Sequence, residues 1–289
     1  MNLSNLAKTW APLCVMAVTA YLGTETTPYW VRMWAIAFAL YFGFKWAVYT
    51  AHSVRRKKTG CKDFIRFFIL WPGMEIEAFL GAKDRARPVK WTEWVAAFFK
   101  TSIGLTLVWI LTPSIENNIL HAWVGMTGLV LVLHFGSFHI LSLIWRAWGV
   151  DAEPIMKAPL LSRSLSDFWS ERWNRAFNRL ANNYYFKPTI RIFGIRAALA
   201  FTFLMSGLIH ELVISVPARA GYGLPTLYFL IQGIGIAAER NAWVRRTRLL
   251  ANWRGRLFTW LILAAPLPAL FHPAFLETVI VPFLNVITS

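Results

Sequence analysis

Cysteine is nearly absent from this 289-residue chain. Its two thiols, Cys14 and Cys61, form no C-x-x-C pair and share no Cys/His spacing, which excludes a disulfide framework or a zinc-ribbon type of site. Charge is scarce as well: 15% of residues are charged, and only 14 are acidic against 30 Lys and Arg. No internal repeat, low-complexity tract or long linker divides the sequence, so one domain over residues 1–289 is expected. The paired halves that mark many transporters are missing too. The formal net charge of +16 invites a nucleic-acid reading, yet the basic residues fall between apolar runs and form no basic domain or tail. No nucleic-acid partner is expected.

What the chain has in excess is apolar surface. Hydrophobic residues make up 57% of it and tryptophans number 16, too apolar for an ordinary soluble domain. Several runs approach the roughly 20 residues that cross a hydrocarbon core of about 30 Å. The expected fold is all-α: a polytopic integral membrane helical bundle of about eight transmembrane helices. Spans are expected at 10–22, 29–51, 91–112, 121–145, 195–216, 224–238, 257–271 and 274–287. The first could pass for a signal peptide, but only Lys8 precedes it and no small-residue cleavage site follows, so it reads as a membrane helix. Residues 64–80 carry Trp71-Pro72-Gly73 with Glu75 and Glu77, and are expected to dip into the membrane or lie on it. Lys45, near the end of the second span, is expected to snorkel to the headgroups.

Charge placement orients these spans. Basic residues group at 55–66, 83–90, 146–196 and 240–256, which together hold 25 of the 30 Lys and Arg. Strict alternation of the spans puts all four groups on one face, and the positive-inside rule makes that face cytoplasmic.

Chemistry concentrates between Ser164 and Leu212. Over 165–180 the apolar residues recur at three- and four-residue steps, predicting an amphipathic helix, with Ser164 and Asp167 as a cap at its start. Asn174, Asn178 and Asn182 fall on one stripe of that helix, although asparagine is a weak helix former and offers a lipid headgroup no charge. Further on, His210 and Glu211 lie side by side in an apolar span. Ionisable groups are costly there and carry function by default. At about 1.5 Å per residue His210 sits roughly 22 Å along its helix, where a neutral imidazole can take a proton from an attacking alcohol. Helix bridging by a hydrogen bond is the competing reading. Ser206 and Gly207, one turn earlier, suggest a face that borders a cavity. The metalloprotease spacing fails, because Ile214 stands where the second histidine would be, and no metal site is expected. His134 and His139 in the fourth span point in different directions, with a minor prospect that His139 contacts substrate.

These pieces resemble a known family. Phe168-Trp169-Ser170-Glu171-Arg172-Trp173-Asn174 is similar to the Phe-Tyr-x-Asp-Trp-Trp-Asn motif of the membrane-bound O-acyltransferases, departing at Trp169, Glu171 and Arg172. Ser206-Gly207-Leu208-Ile209-His210-Glu211-Leu212 looks like the intramembrane histidine motif of the wax-synthase branch, at a fitting separation. The resemblance implies that Asn174 and His210 are the paired catalytic residues. It implies acyl transfer from acyl-CoA, as co-substrate and without a further cofactor, to the hydroxyl of a lipophilic alcohol, in a tunnel through the helical core. Trp173, Glu171, Arg172, Arg175, Arg179, Ser206 and His139 are the candidate substrate-binding residues. The three arginines suit the CoA phosphates, or equally a lipid-facing basic surface. A sterol, terpenoid or other hydroxylated small molecule would use the same chemistry. A non-enzymatic membrane transporter or lipid-binding protein is the alternative class. Its place would be a multi-pass membrane protein of a bacterial inner membrane or the endoplasmic reticulum.

Overall fold

A computed structural model describes residues 3–55, 60–81, 86–247, 249–250 and 252–289. The basic residues Arg56, Lys57, Lys58, Lys83, Arg85 and Arg248 lie outside the described residues. Those described are helical or in turns, with no strand among them. Two compact units form, Met1–Ile155 with Ile280–Ser289 and Met156–Val279.

The first unit holds α1 (Leu3–Gly23), α2 (Tyr29–Arg55), α3 (Cys61–Phe68), α4 (Ile76–Phe79), α5 (Trp91–Ser114) and α6 (Asn118–Ala147). Of these, α5 and α6 are long and apolar enough to cross a membrane, as is Tyr29–Ser53 of α2. Between α3 and α4 the chain leaves the helix at the Trp-Pro-Gly sequence, as its turn chemistry predicts. The freed carbonyls do not face lipid unpaired. Lys45 of α2 donates its Nζ to the carbonyls of Phe67 and Gly73, at 2.7 and 2.6 Å, and sits 3.6 Å from the centre of the Phe67 ring. Lys45 is therefore fully buried, and the expected snorkelling is corrected: its stem turns inward because unpaired carbonyls in an apolar setting outcompete the headgroups. Arg146, counted above among the basic loops, is buried as well. It forms a two-pronged ion pair with Glu93, the shorter contact 2.6 Å, and also donates to the Arg87 and Pro88 carbonyls.

In the second unit, α7 (Leu165–Asp167) continues as a wide π turn over Phe168–Arg172 and ends at Trp173. After it comes α8 (Arg175–Ala218), an apolar helix of 44 residues that qualifies as a span. Gly194 breaks it with φ 79°, a conformation side chains with a Cβ resist, so the stretch from Ile195 begins a new helical direction where the fifth span was expected. The unit continues with α9 (Leu224–Glu239), shorter at 16 residues, and α10 (Trp253–Leu270). A bend of 60° separates α10 from α11 (Pro273–Thr288), whose end belongs to the first unit. Among the described residues, four helices are thus long and apolar enough to cross a membrane, or five if that bent pair is one span. The pairing of α8 with α9 is close because Gly207 has no side chain: a Cβ there would stand 2.7 Å from the Thr226 Cα.

Candidate active site

Ser164 accepts a hydrogen bond from the Asp167 N–H at 3.0 Å, the cap expected at the start of α7. A second acceptor comes from far along the chain. The Glu239 carboxylate, at the end of α9, takes the N–H groups of Leu165 and Ser166 at 2.6 and 3.1 Å. An anion on the N-terminal donors of a helix is favourable for both charge and hydrogen bonding. Asp167 in turn holds the Arg172 guanidinium at 2.7 Å, and Arg172 also donates to the Ala158 carbonyl. Arg172 is therefore engaged in closing its own turn.

The predicted continuous helix over 165–180 breaks at Asn174, and with it the single asparagine stripe. Asn174 is left-handed, φ 39°, and its side-chain oxygen caps α8 by accepting the Phe177 N–H at 3.2 Å. Asparagine tolerates this conformation better than other side chains with a Cβ, which accounts for a weak helix former at this point. Its own N–H reaches the Met156 Sδ at 3.2 Å. With Oδ1 spent on the cap, the Nδ2 amide is the part of Asn174 left to address a substrate. Asn178 donates to the Trp169 carbonyl at 2.7 Å and pins the π turn to α8. Trp173 stacks on Phe168 with ring centres 5.5 Å apart. Arg175 is buried at the helix start, while Glu171 and Arg179 are exposed.

His210 is half-buried on α8, its Nδ1 2.7 Å from the Ser206 carbonyl. A carbonyl can only accept, so Nδ1 carries the proton and Nε2 keeps its lone pair. Ser206 itself is buried, its hydroxyl turned back on the Thr202 carbonyl. It acts on His210 through its backbone. The imidazole packs on Phe229 of α9, ring centres 4.4 Å apart, and Phe229 packs on Trp169 at 5.6 Å. Trp169 also meets Phe203 of α8 and Phe168. Its indole N–H lies 3.4 Å from Gln232 Oε1, and the fully buried Gln232 donates onward to the Ile262 carbonyl at 2.7 Å. An aromatic chain, Trp173–Phe168–Trp169–Phe229–His210, therefore links the Asn174 turn to the histidine. No hydrogen bond joins Asn174 to His210 among the described residues. His139 lies on α6 in the first unit.

Phe229, Gln232, Glu239 and Met156 were not singled out beforehand, and Trp169 only as a departure from the motif. Gln232 and Glu239 did carry a signal: each is a lone polar residue in or at the edge of an otherwise apolar run. Among the described residues no three His, Cys, Asp or Glu side chains gather as a metal site would require.

Residues 152–231 match the Membrane bound O-acyl transferase family, a span that contains α7, α8 and the start of α9. Probable long-chain-alcohol O-fatty-acyltransferase 7 of Arabidopsis thaliana is 32% identical over 123 residues, covering 36% of this chain and 35% of that protein. Probable long-chain-alcohol O-fatty-acyltransferase 9 of the same plant is 29% identical over 153 residues, covering 47% and 44%. Acyl-CoA–sterol O-acyltransferase 1, also from that plant, is 30% identical over 98 residues, covering 31% and 28%. The chain spans between about a third and a half of the length of the first two relatives. The stretch that carries the Asn174 turn and the His210 helix is thus similar to membrane-bound O-acyltransferases, and to their wax-synthase-like branch in particular.

Proposed function

We propose that this protein transfers an acyl group from acyl-CoA to the hydroxyl of a lipophilic alcohol. The observation that supports this reading is the Nδ1 contact of His210 with the Ser206 carbonyl, which leaves Nε2 its lone pair on a helix packed against α9. In the reaction His210 Nε2 takes the hydroxyl proton as the alcohol oxygen attacks the thioester carbonyl. The C–S bond then breaks, and the CoA thiolate leaves with the proton from the imidazolium. Asn174 Nδ2 donates to the oxyanion, an interaction worth more in a water-excluded site than in water. Arg179, exposed near the start of α8, is the arginine proposed to meet the CoA phosphates, with Trp173 and Glu171 as further substrate-binding candidates. His139 keeps only its sequence-based candidacy.

A long-chain fatty alcohol is the acceptor that the fatty-acyltransferase relatives support. The sterol O-acyltransferase relative favours a sterol as the second reading. In this proposal the chain folds as a single multi-pass domain of about eight membrane helices around a tunnel, its basic loops cytoplasmic, in a bacterial inner membrane or the endoplasmic reticulum. No cofactor beyond the acyl-CoA co-substrate enters. Incubating the purified protein with a panel of acyl-CoAs and alcohols, and reading ester and free CoA by mass spectrometry, tests it. Ester from a fatty alcohol supports the first reading, ester from a sterol alone the second, and no ester from any pair rejects both.

A further inference from the structure

One residue beyond His210, two buried polar atoms of opposite kind face the same short loop. Glu211 spends its Oε1 on the start of α9, accepting the N–H groups of Gly223 and Thr226 at 3.0 Å each and the Thr226 hydroxyl at 2.9 Å. Its Oε2 is buried and has no partner among the described residues. His272, at the bend between α10 and α11, is 2% exposed and caps α11 by accepting the Phe275 N–H at its Nδ1, 3.2 Å away. An accepting Nδ1 puts the ring proton on Nε2. That Nε2–H is also buried without a partner among the described residues.

The loop from Arg219 to Gly223 touches both side chains. Gly221, φ 69°, rests on the His272 ring so closely that a Cβ there would stand 2.4 Å from Nε2. Two residues on, the Gly223 N–H is the one bound to Glu211. A lone acceptor and a lone donor, both unfavourable if left unmet, thus flank one short loop. A group that both donates and accepts can satisfy the pair at once, and a hydroxyl is the smallest such group.

We propose that the space beneath the Arg219–Gly223 loop is a binding site for one hydroxyl group, which donates to Glu211 Oε2 and accepts from His272 Nε2–H. The hydroxyl belongs either to an alcohol or to a trapped water. The alcohol source rests on the acyl-transfer reading, since an acceptor held there would lie beside His210. The site itself does not depend on that reading.

The test needs no turnover, so its failure is distinct from failure of the proposed activity. The full chain, labelled with 15N-histidine in lipid nanodiscs, is studied by NMR with dodecan-1-ol or with dodecane as probe. The His272 signal is identified by its loss in His272→Asn, which can keep the cap on Phe275 but has no Nε2. Magnetisation transfer from His272 Nε2–H to the C1 methylene of dodecanol, absent with dodecane, assigns the site to an alcohol. Transfer to a long-lived water, unchanged by dodecanol, assigns it to water. In either case Glu211→Gln, which keeps the Oε1 acceptor and replaces Oε2 with a donor, abolishes the transfer. A wild-type Nε2–H that shows neither contact overturns the proposal.

Discussion

Asn174 does two jobs whose costs differ, and substitution separates them. Asn174→Ala removes the cap on Phe177, worth about 1 kcal/mol, and forces an alanine into a left-handed conformation at a further cost of about 1–2 kcal/mol. Asn174→Gly keeps that conformation at no steric cost and loses only a few tenths of a kcal/mol from the cap. Thermal unfolding should therefore rank wild type and Asn174→Gly close together, with Asn174→Ala well below. If Nδ2 stabilises the oxyanion, both variants lose about 10² in turnover. An Asn174→Gly protein with wild-type turnover would remove Asn174 from the chemistry. The asparagine was legible in the sequence as an oddity, but its conformation was not. The helical period runs unbroken through 165–180, and periodicity carries no term for a left-handed residue that ends one helix and caps the next.

At the scale of helices, the N-terminus of α7 depends on Glu239, 74 residues away from Leu165 in sequence. Glu239→Ala leaves two backbone donors unmet and should cost about 1–3 kcal/mol, while Glu239→Gln, which keeps one acceptor, should fall between it and wild type. Melting temperatures of the three proteins check the order; equal values would mean that water replaces the carboxylate without loss. Two arginines of α8 divide likewise. Arg175 is buried, so Arg175→Ala should lower expression and melting temperature. Arg179→Ala should leave the fold intact and raise the KM for acyl-CoA at least several-fold, with the KM for the alcohol unchanged. Equal effects on both KM values would return Arg179 to the lipid surface. The capping serine and the start of the fifth span at 195 could be read from local chemistry and apolar pattern. Lys45 and Arg172 could not, because their partners are carbonyls and a carboxylate whose positions follow from turns that pattern does not specify.

For the whole molecule, the four basic groups make a prediction about sides. After replacement of the exposed Cys14 and Cys61, single cysteines at positions 187 and 254 should react with an impermeant thiol reagent from the same side of sealed vesicles. One at position 116, in the turn between α5 and α6 that lacks Lys and Arg, should react from the other. Labelling of 187 and 254 from opposite sides would contradict the proposed topology. The membrane character of the chain is plain from composition, and the helices at 91–112 and 121–145 were found near their expected limits. The span count was harder to read, since α9 is short and α10 meets α11 at a bend of 60°, features that depend on packing and on Pro273 as much as on hydropathy.

The central claim is that His210 is the base, its Nε2 left free by the Ser206 carbonyl. Turnover of purified His210→Ala with acyl-CoA and fatty alcohol, measured beside its melting temperature, tests that claim most directly. Positioned proton transfer is worth about 10²–10⁴ in rate, so turnover should fall by a hundredfold or more while the melting temperature stays within a few degrees of wild type. A stable His210→Ala protein with near-normal turnover would contradict it.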